Sequence, residues 1–373
     1  MGIPRQIARN AVKIDRVDGV FVAKIKFSER EQLKSEGWKW NRRDKRWTTT
    51  DVAKARDRYD FTVGAAREFL DNADIAISAS LAETSETVHP APEGKAFAPF
   101  QNAGIDYALA RKDTLFADPP GLGKTVQSIG VSNVVKAKRV LIIPPASLKK
   151  MWEREWKNWS TQDMTVGIVE TKSKRKTKDK KVIKSWTEIS WPDTDVVIIN
   201  YEMVAKCRDK IDAIDWDILI CDESHYMKNI QTKRTKFILG GRVSGNNYSP
   251  IWAERRLFLS GTPITKKPLD IWTMCKVCDP TGLGHNWRKF VDRYCNAFET
   301  FFNNSTQVDT SGHSNLEELQ TKLRTAFMVR RDKKSVLKEL PSKSRKIIEL
   351  PSEGLRKLID GEFAEISQYL AQY

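Results

Sequence analysis

In the stretch Leu115-Phe116-Ala117-Asp118-Pro119-Pro120-Gly121-Leu122-Gly123-Lys124-Thr125, two glycines lead into a lysine and a hydroxyl. An apolar run enters the stretch and a helical spacing of Val126, Ile129 and Val134 leaves it, so the order reads strand, loop, helix. Glycine at 121 and 123 lets successive backbone N–H groups converge on an anion, and the following helix adds the positive end of its dipole. A nucleotide polyphosphate is the anion such a loop suits. Lys124 would reach the β- and γ-phosphates, and the Thr125 hydroxyl would take a place on Mg²⁺. Asp118 stands where the general phosphate-loop spacing has its first glycine. A turn with a chance lysine would explain the glycines but not the ordered Lys-Thr pair.

A second acidic motif follows downstream. Trp216 to Cys221 is a short apolar run of buried-strand type that ends on Asp222-Glu223-Ser224-His225. Carboxylates at the carboxyl end of a strand open onto the crevice of an α/β sheet. Asp222 is the expected Mg²⁺ residue, acting through water, and Glu223 the group that orients or deprotonates the attacking water. A solvated strand end is the plainer reading, and the phosphate loop upstream weighs against it.

These residues carry a family resemblance. Asp118 to Thr125, Asp222 to His225 and Ser260-Gly261-Thr262-Pro263 resemble motifs I, II and III of the Swi/Snf-related helicase-like ATPases of superfamily two. Phe100-Gln101 is similar to the adenine-side glutamine motif. Ile143 to Leu148, with Trp152 and Glu155, is similar to motif Ia, and Asn200-Tyr201-Glu202 to motif Ib. Tyr294-Cys295, Val329-Arg330-Arg331-Asp332-Lys333 and Leu340-Pro341-Ser342-Lys343 resemble the segment leading into the family's second lobe, and the nearest flavour is the annealing-helicase branch. The resemblance implies a RecA-like parallel sheet flanked by helices, and ATP with Mg²⁺ as cofactors. It implies nucleotide contacts at Gln101, Gly121, Leu122, Gly123, Lys124, Thr125 and Val126, with Lys124, Asp222 and Glu223 catalytic and Thr125 and Asp222 on the metal. It also implies DNA contacts at Ser147, Lys149, Asn200 and Tyr201, and coupling through Ser260, Gly261 and Thr262. Pro119-Pro120 departs from the Glu-Met of most relatives and removes two amide donors ahead of the cradle.

The chain has 373 residues, 40% of them hydrophobic, enough for two compact units. No apolar run reaches membrane-spanning length and no signal peptide opens the chain, so membrane association is excluded from the expectations. Five scattered cysteines fit a reducing compartment: cytoplasm or nucleoid, or the nucleus of a eukaryote. The formal charge of +16 is concentrated. Residues 1–70 hold 17 Lys/Arg against 10 Asp/Glu, and residues 172–184 hold eight against one. Two local basic surfaces point to a polyanion, with double-stranded or forked DNA the expected partner.

Residues 1–72 read as a small basic α+β module. Asp18-Gly19 turns a first hairpin, Ser28-x-x-Glu31 is a capping box, Gly37 ends a helix, and Trp38 to Thr48 folds a second hairpin around residues 41–44. Trp38 and Trp40, on one strand face, are expected to share the core, while Arg42, Arg43, Lys45 and Arg46 are expected to meet DNA phosphates. The arrangement resembles the HARP-like module that precedes the motor in annealing helicases, which implies recognition of junctions or forks. Residues 73–96 read as a linker and 97–350 as the ATPase lobe, with strands at 114–117, 140–143, 165–169, 196–199, 218–221, 257–260 and 346–350. Leu148, Trp152, Trp156 and Trp159 recur at helical spacing and read as packing. The lysine run 172–184 reads as a solvated loop able to touch DNA, and Asn303 to Asn315 as a polar loop. A helical extension covers about 264–345, and within it Cys275 and Cys278 have the spacing of half a zinc site. Residues 351–373 read as the helical start of a connection to a second lobe whose arginine motifs do not follow, so little hydrolysis is expected of these residues alone. The expected activity is a DNA-dependent ATPase motor, with a second polypeptide as one way to complete it. A non-catalytic DNA-binding adaptor and an RNA-directed helicase are the alternatives.

Overall fold

The computed structural model describes residues 13–17, 20–25, 27–50, 52–178, 181–302 and 305–337. The expected strand at 346–350, the Leu340 to Lys343 segment and the stretch 351–373 lie outside the described residues.

The N-terminal module is built from β1 (Lys13–Val17), β2 (Val20–Lys24), α1 (Arg30–Ser35), β3 (Lys39–Asn41), β4 (Arg46–Thr49), α2 (Val52–Arg56) and α3 (Gly64–Leu81). Its antiparallel sheet runs β1-β2-β4-β3 around Ile14, Phe21, Leu33, Trp38, Trp47 and Leu70. Both hairpins stand where expected, but two local readings do not hold. A 3₁₀ turn over Phe27–Glu29 displaces the start of α1, so its N-cap is Glu29 and the Ser28 capping box does not form. Trp38 is 3% exposed but Trp40 is 49% exposed, so they do not share the core. Trp38 precedes the strand, outside its alternation. Trp40 sits on the edge strand β3, edge-on to its register partner Trp47 with ring centroids 5.7 Å apart.

The stretch expected to be a linker is docked. α3 continues to Leu81 with Ala73 and Ser80 buried, and the Ser80 hydroxyl donates to the Met328 carbonyl at 2.8 Å while accepting from Arg324 Nη1 at 3.0 Å. Farther on, His89 is buried with Nε2 2.7 Å from Asp106 Oδ1. Alanine and serine suit a tether by composition, but their small size also lets a helix pack closely.

Helices and strands then alternate. They are α4 (Pro99–Leu109), β5 (Asp113–Phe116), α5 (Lys124–Val135), β6 (Val140–Ile143), α6 (Lys149–Trp159), β7 (Val166–Ile168), β8 (Glu170–Lys178), β9 (Lys181–Ser190), β10 (Val196–Ile198), α7 (Tyr201–Val204), α8 (Arg208–Asp212), β11 (Ile218–Asp222), α9 (Lys233–Leu239), β12 (Gly241–Val243), β13 (Asn246–Tyr248) and β14 (Arg255–Leu259). The extension adds α10 (Trp272–Cys278), α11 (Trp287–Tyr294), β15 (Phe298–Phe302), β16 (Ser305–Asp309) and α12 (Leu316–Ala326), and the described chain closes with β17 (Met328–Val329) and α13 (Lys333–Val336).

Seven strands form one parallel sheet in the order β17-β5-β14-β11-β6-β10-β7. β6 and β10 are apolar throughout, and β11 is apolar up to Asp222, because both faces of the sheet are covered there. Along β11, Ile218 and Ile220 join the apolar cluster that holds Trp152 and Trp156, whereas Leu219 and Cys221 join the one that holds Trp216 and Trp272. The α/β expectation of a parallel sheet flanked by helices therefore holds. β17 was not anticipated: two apolar residues are too short to read as a strand, and they pair because β5 offers an edge. The lysine run is a hairpin rather than a loop, β8 pairing with β9 from Glu170↔Ser190 to Lys178↔Lys181. Such a ladder needs only backbone N–H and C=O groups. Likewise the polar stretch after Asn303 holds β16, paired with β15.

No helix among the described residues is long and apolar enough to cross a membrane. Nor do three His, Cys, Asp or Glu side chains among the described residues gather closely enough to hold a metal ion. Cys275 lies inside the sheet's apolar flank, where burial pushes its thiol up, away from the thiolate a metal requires.

Candidate active site

Five adjacent strands, β17, β5, β14, β11 and β6, bring their carboxyl ends together, and the motif residues stand there. The loop between β5 and α5 turns on Gly121 at φ 90° and Gly123 at φ 70°, a region that other residues enter only with strain. A Cβ on Gly123 would lie 2.4 Å from Gln101 Nε2, so any larger residue there would also displace the Gln101 amide. Gln101, on α4, accepts from the Ala98 amide at 2.9 Å and donates to the Leu122 carbonyl at 3.5 Å, so the glutamine motif lies directly on the loop. Lys124 folds back to donate to the Asp118 carbonyl at 2.9 Å. Burial lowers its pKa, while Glu223, Asp118 and Asp222 are all near enough to favour its charged form. Thr125 and Val126 are half-buried in the first turn of α5.

Asp222, at the end of β11, is buried, and burial pushes its carboxyl up. Two donors oppose that shift: the Trp152 indole N–H at 2.8 Å from Oδ2 and the Glu223 amide at 2.9 Å from Oδ1. Beneath it the Tyr201 hydroxyl donates to the Asp222 carbonyl at 2.7 Å, and burial holds that phenol well above its usual range. Glu223 is in the left-handed region at φ 49°, which turns its side chain out of the strand line. His225 Nδ1 lies 3.0 Å from Glu223 Oε2 and 3.2 Å from Ser260 Oγ, and that hydroxyl also accepts from the Thr262 amide at 3.2 Å. A Cβ on Gly261 would stand 3.1 Å from the Pro120 ring and 3.6 Å from Lys124 Nζ. Ser260, Gly261 and Thr262 therefore touch both the acidic motif and the phosphate loop.

The phosphate loop has a foundation that the sequence did not reveal. Asp118 and Arg331 form an ion pair with side chains 0% and 1% exposed. The Arg331 amide and Nε donate to Asp118 Oδ1 at 2.9 and 3.2 Å, and its guanidinium also reaches the Phe100 carbonyl and, at 2.8 Å, Gln127 Oε1. Gln127 in turn donates to the Leu122 carbonyl at 3.1 Å. Arg330 donates to the Ala117 carbonyl at 2.9 Å, and Lys333 to that of Pro120 at 3.3 Å. The segment expected only to connect lobes thus grips the loop from β17. Its sole signal in the sequence was the adjacent Arg330-Arg331 pair.

The expected DNA contacts divide. Ser147 is exposed on the turn ahead of α6, and Lys149 donates to the Val169 carbonyl at 3.2 Å. Tyr201, however, is 2% exposed and spends its hydroxyl on Asp222, and Asn200 is buried with its amide on Glu202 at 2.7 Å. Both side chains are thus turned to internal partners in this structure. In the N-terminal module Arg42, Arg43 and Lys45 are exposed on a turn, and Arg46 is exposed at the start of β4; Asn41 pins the turn, its Oδ1 accepting from the Arg43 and Asp44 amides at 3.0 and 3.3 Å. The exposed Trp40 ring stands on the same hairpin.

The family model described as SNF2-related domain matches residues 37–358. The DNA annealing helicase and endonuclease ZRANB3 of Bos taurus is 33% identical over 271 residues, covering 70% of this chain and 23% of that protein. The SWI/SNF-related matrix-associated actin-dependent regulator of chromatin subfamily A-like protein 1 of Xenopus laevis is 30% identical over 278 residues, covering 74% of this chain and 26% of that protein. The chain therefore spans about a quarter of the length of the curated relatives it matches. Among solved structures, the Sulfolobus solfataricus SWI2/SNF2 ATPase core in complex with dsDNA aligns with a TM-score of 0.47 at 22% identity, over 66% of this chain and 47% of that one.

Proposed function

Because the chain belongs to the SNF2-related family, we propose that it works as an ATP-dependent motor on DNA, inside the cell. The observation that carries this reading is the convergence of Lys124, Asp222 and Glu223 at the ends of β5 and β11, the two strands that flank β14, with His225 joining the acidic motif to Ser260. The named activity of relatives, DNA annealing helicase among them, supports DNA as the substrate. A second polypeptide has no observation behind it and is not part of this reading.

The donor set fits Mg·ATP. Thr125 and Asp222 offer oxygen ligands of the kind Mg²⁺ takes, and the loop amides between two positive-φ glycines suit phosphate. Bound ATP supplies the phosphoryl group, and Mg²⁺ neutralises its charge. Lys124, which donates to the Asp118 carbonyl, would donate instead to a phosphate oxygen, whose negative charge would favour the ammonium form that burial opposes. Glu223 holds and deprotonates the attacking water. His225, within reach of both Glu223 and Ser260, keeps the carboxylate aimed and ties it to the 260–262 turn.

Lys124→Ala tests the nucleotide assignment. It removes one partner of a charge-assisted contact, a loss of about 2 kcal/mol or more, so Mg·ATP affinity should fall about thirtyfold. Circular dichroism and melting should stay near wild type, since what the fold loses is the bond from the amine to the Asp118 carbonyl. Unchanged affinity in a titration calorimeter would remove the nucleotide reading.

The basic turn makes a separate prediction. Replacing Arg42, Arg43, Lys45 and Arg46 by glutamine should weaken binding alike across DNA sequences, and each phosphate left without its cation should lower the slope of log K against log salt by about 0.9. If the slope is unaltered, this turn is not the DNA surface. Equal weakening for forked and plain duplex would leave phosphate binding but discard fork recognition.

A further inference from the structure

Helix α6 carries two buried tryptophans one turn apart, and their ring nitrogens are treated differently. The Trp156 N–H is buried with no hydrogen-bond partner among the described residues, so that ring contributes through its volume. The Trp152 N–H, equally buried, donates to Asp222 Oδ2 across 70 residues of sequence at 2.8 Å. An apolar side chain would fill that space without the polar atom. The bond therefore marks a second task for Trp152 beyond packing.

Tyr201 shows the same pattern. Its ring lies in the apolar cluster on the other face of the sheet, and its hydroxyl reaches the Asp222 backbone carbonyl at 2.7 Å. Asp222 is thus fixed at its carboxylate from α6 and at its backbone from α7, while the Glu223 amide occupies Oδ1 at 2.9 Å. One bond on each carboxylate oxygen leaves lone pairs on both.

We propose that Trp152 and Tyr201 are positioning residues that hold the Asp222 carboxylate in the orientation needed to receive Mg²⁺. The proposal rests on the reading of Asp222 as the metal-binding carboxylate. Supporting bonds of this kind orient metal-binding groups generally, and their loss typically costs about 10- to 100-fold in metal affinity. It gives the two motifs a task toward the metal: α6 follows the turn carrying the exposed Ser147, and α7 follows the buried Asn200.

The test is the affinity of the full chain for ATP, measured by fluorescence-detected titration with Mg²⁺ and again with EDTA, for wild type, Trp152→Phe and Tyr201→Phe. Trp152→Phe keeps an aromatic ring and removes the donor, and Tyr201→Phe removes only the hydroxyl. We expect the Mg²⁺-dependent gain in affinity to fall about tenfold in Trp152→Phe and severalfold in Tyr201→Phe, with metal-free affinity within about twofold of wild type. A purely structural role would lower the melting temperature and leave the ratio of the two affinities unmoved. Should Trp152→Phe fail to fold, incorporation at position 152 of the benzothiophene analogue of tryptophan, which keeps the bicyclic shape but carries sulfur in place of the N–H, makes the same comparison. A wild type that gains affinity with Mg²⁺ beside variants that gain equally would overturn the positioning roles and leave the proposed function standing. A wild type with no Mg²⁺-dependent gain would overturn both.

Discussion

In a complete motor, with the second lobe supplied, Glu223→Gln should leave Mg·ATP bound within about twofold of wild type and lower phosphate release by about 10² to 10⁴. The substitution keeps the size of the side chain and its hydrogen bonding but cannot take a proton from water. Its effect on the fold should be slight. The carboxylate is 38% exposed, and its nearest partner is His225 Nδ1 at 3.0 Å, which an amide oxygen also accepts from. Binding comes from other residues, Lys124 and the loop amides, and so the two readouts should separate. The assay is phosphate release at saturating ATP and DNA, with Lys124→Ala as the blank. Turnover that survives in Glu223→Gln would move the base elsewhere, and His225, between Glu223 and Ser260, would be the next residue to replace.

How much of this was legible depended on whether the relevant signal was local. β6, β10 and β11 were readable because burial on both faces leaves nearly uninterrupted apolar runs, and β5 and β14 were readable from the apolar residues in the second half of each strand. The spacing of Gly121, Gly123, Lys124 and Thr125 is likewise a local pattern, so its place between strand and helix could be read. Periodicity misled where an element's environment decided the outcome. Trp40 was assigned inward by alternation, but on an edge strand it has a neighbour on one side only. The lysines of β8 and β9 resembled a loop because composition says nothing of a backbone ladder. Helical spacing marked Trp152 for packing correctly, yet the direction of its N–H depends on Asp222, 70 residues away.

The largest effect on stability should come from Arg331→Met. That change leaves the Asp118 carboxylate, 0% exposed, without its counter-charge beneath the phosphate loop. Removing one member of a buried ion pair typically costs about 3–5 kcal/mol, because the remaining charge keeps its desolvation penalty. At about 2–4 °C per kcal/mol, the figure for domains of 150–250 residues, the melting temperature should fall by about 6–20 °C. The loss should respond little to added salt, which screens exposed pairs far more than buried ones. Two features separate a removed charge from a removed shape. Asp118→Leu combined with Arg331→Met takes out both charges, and such paired replacements are often neutral, so at least half of the lost stability should return. Recovery should stop short of wild type, since the Phe100 carbonyl and Gln127 Oε1 still lose the guanidinium that donated to them. Mg·ATP affinity should remain reduced even in the stabilised double variant, because Gln127 links the pair to the Leu122 carbonyl inside the loop. A single variant that melts within about 2 °C of wild type, less than one kcal/mol on the same scale, would show that Asp118 is not the dehydrated charge the geometry describes. A double variant that binds Mg·ATP as tightly as wild type would show that the pair supports the fold without shaping the loop.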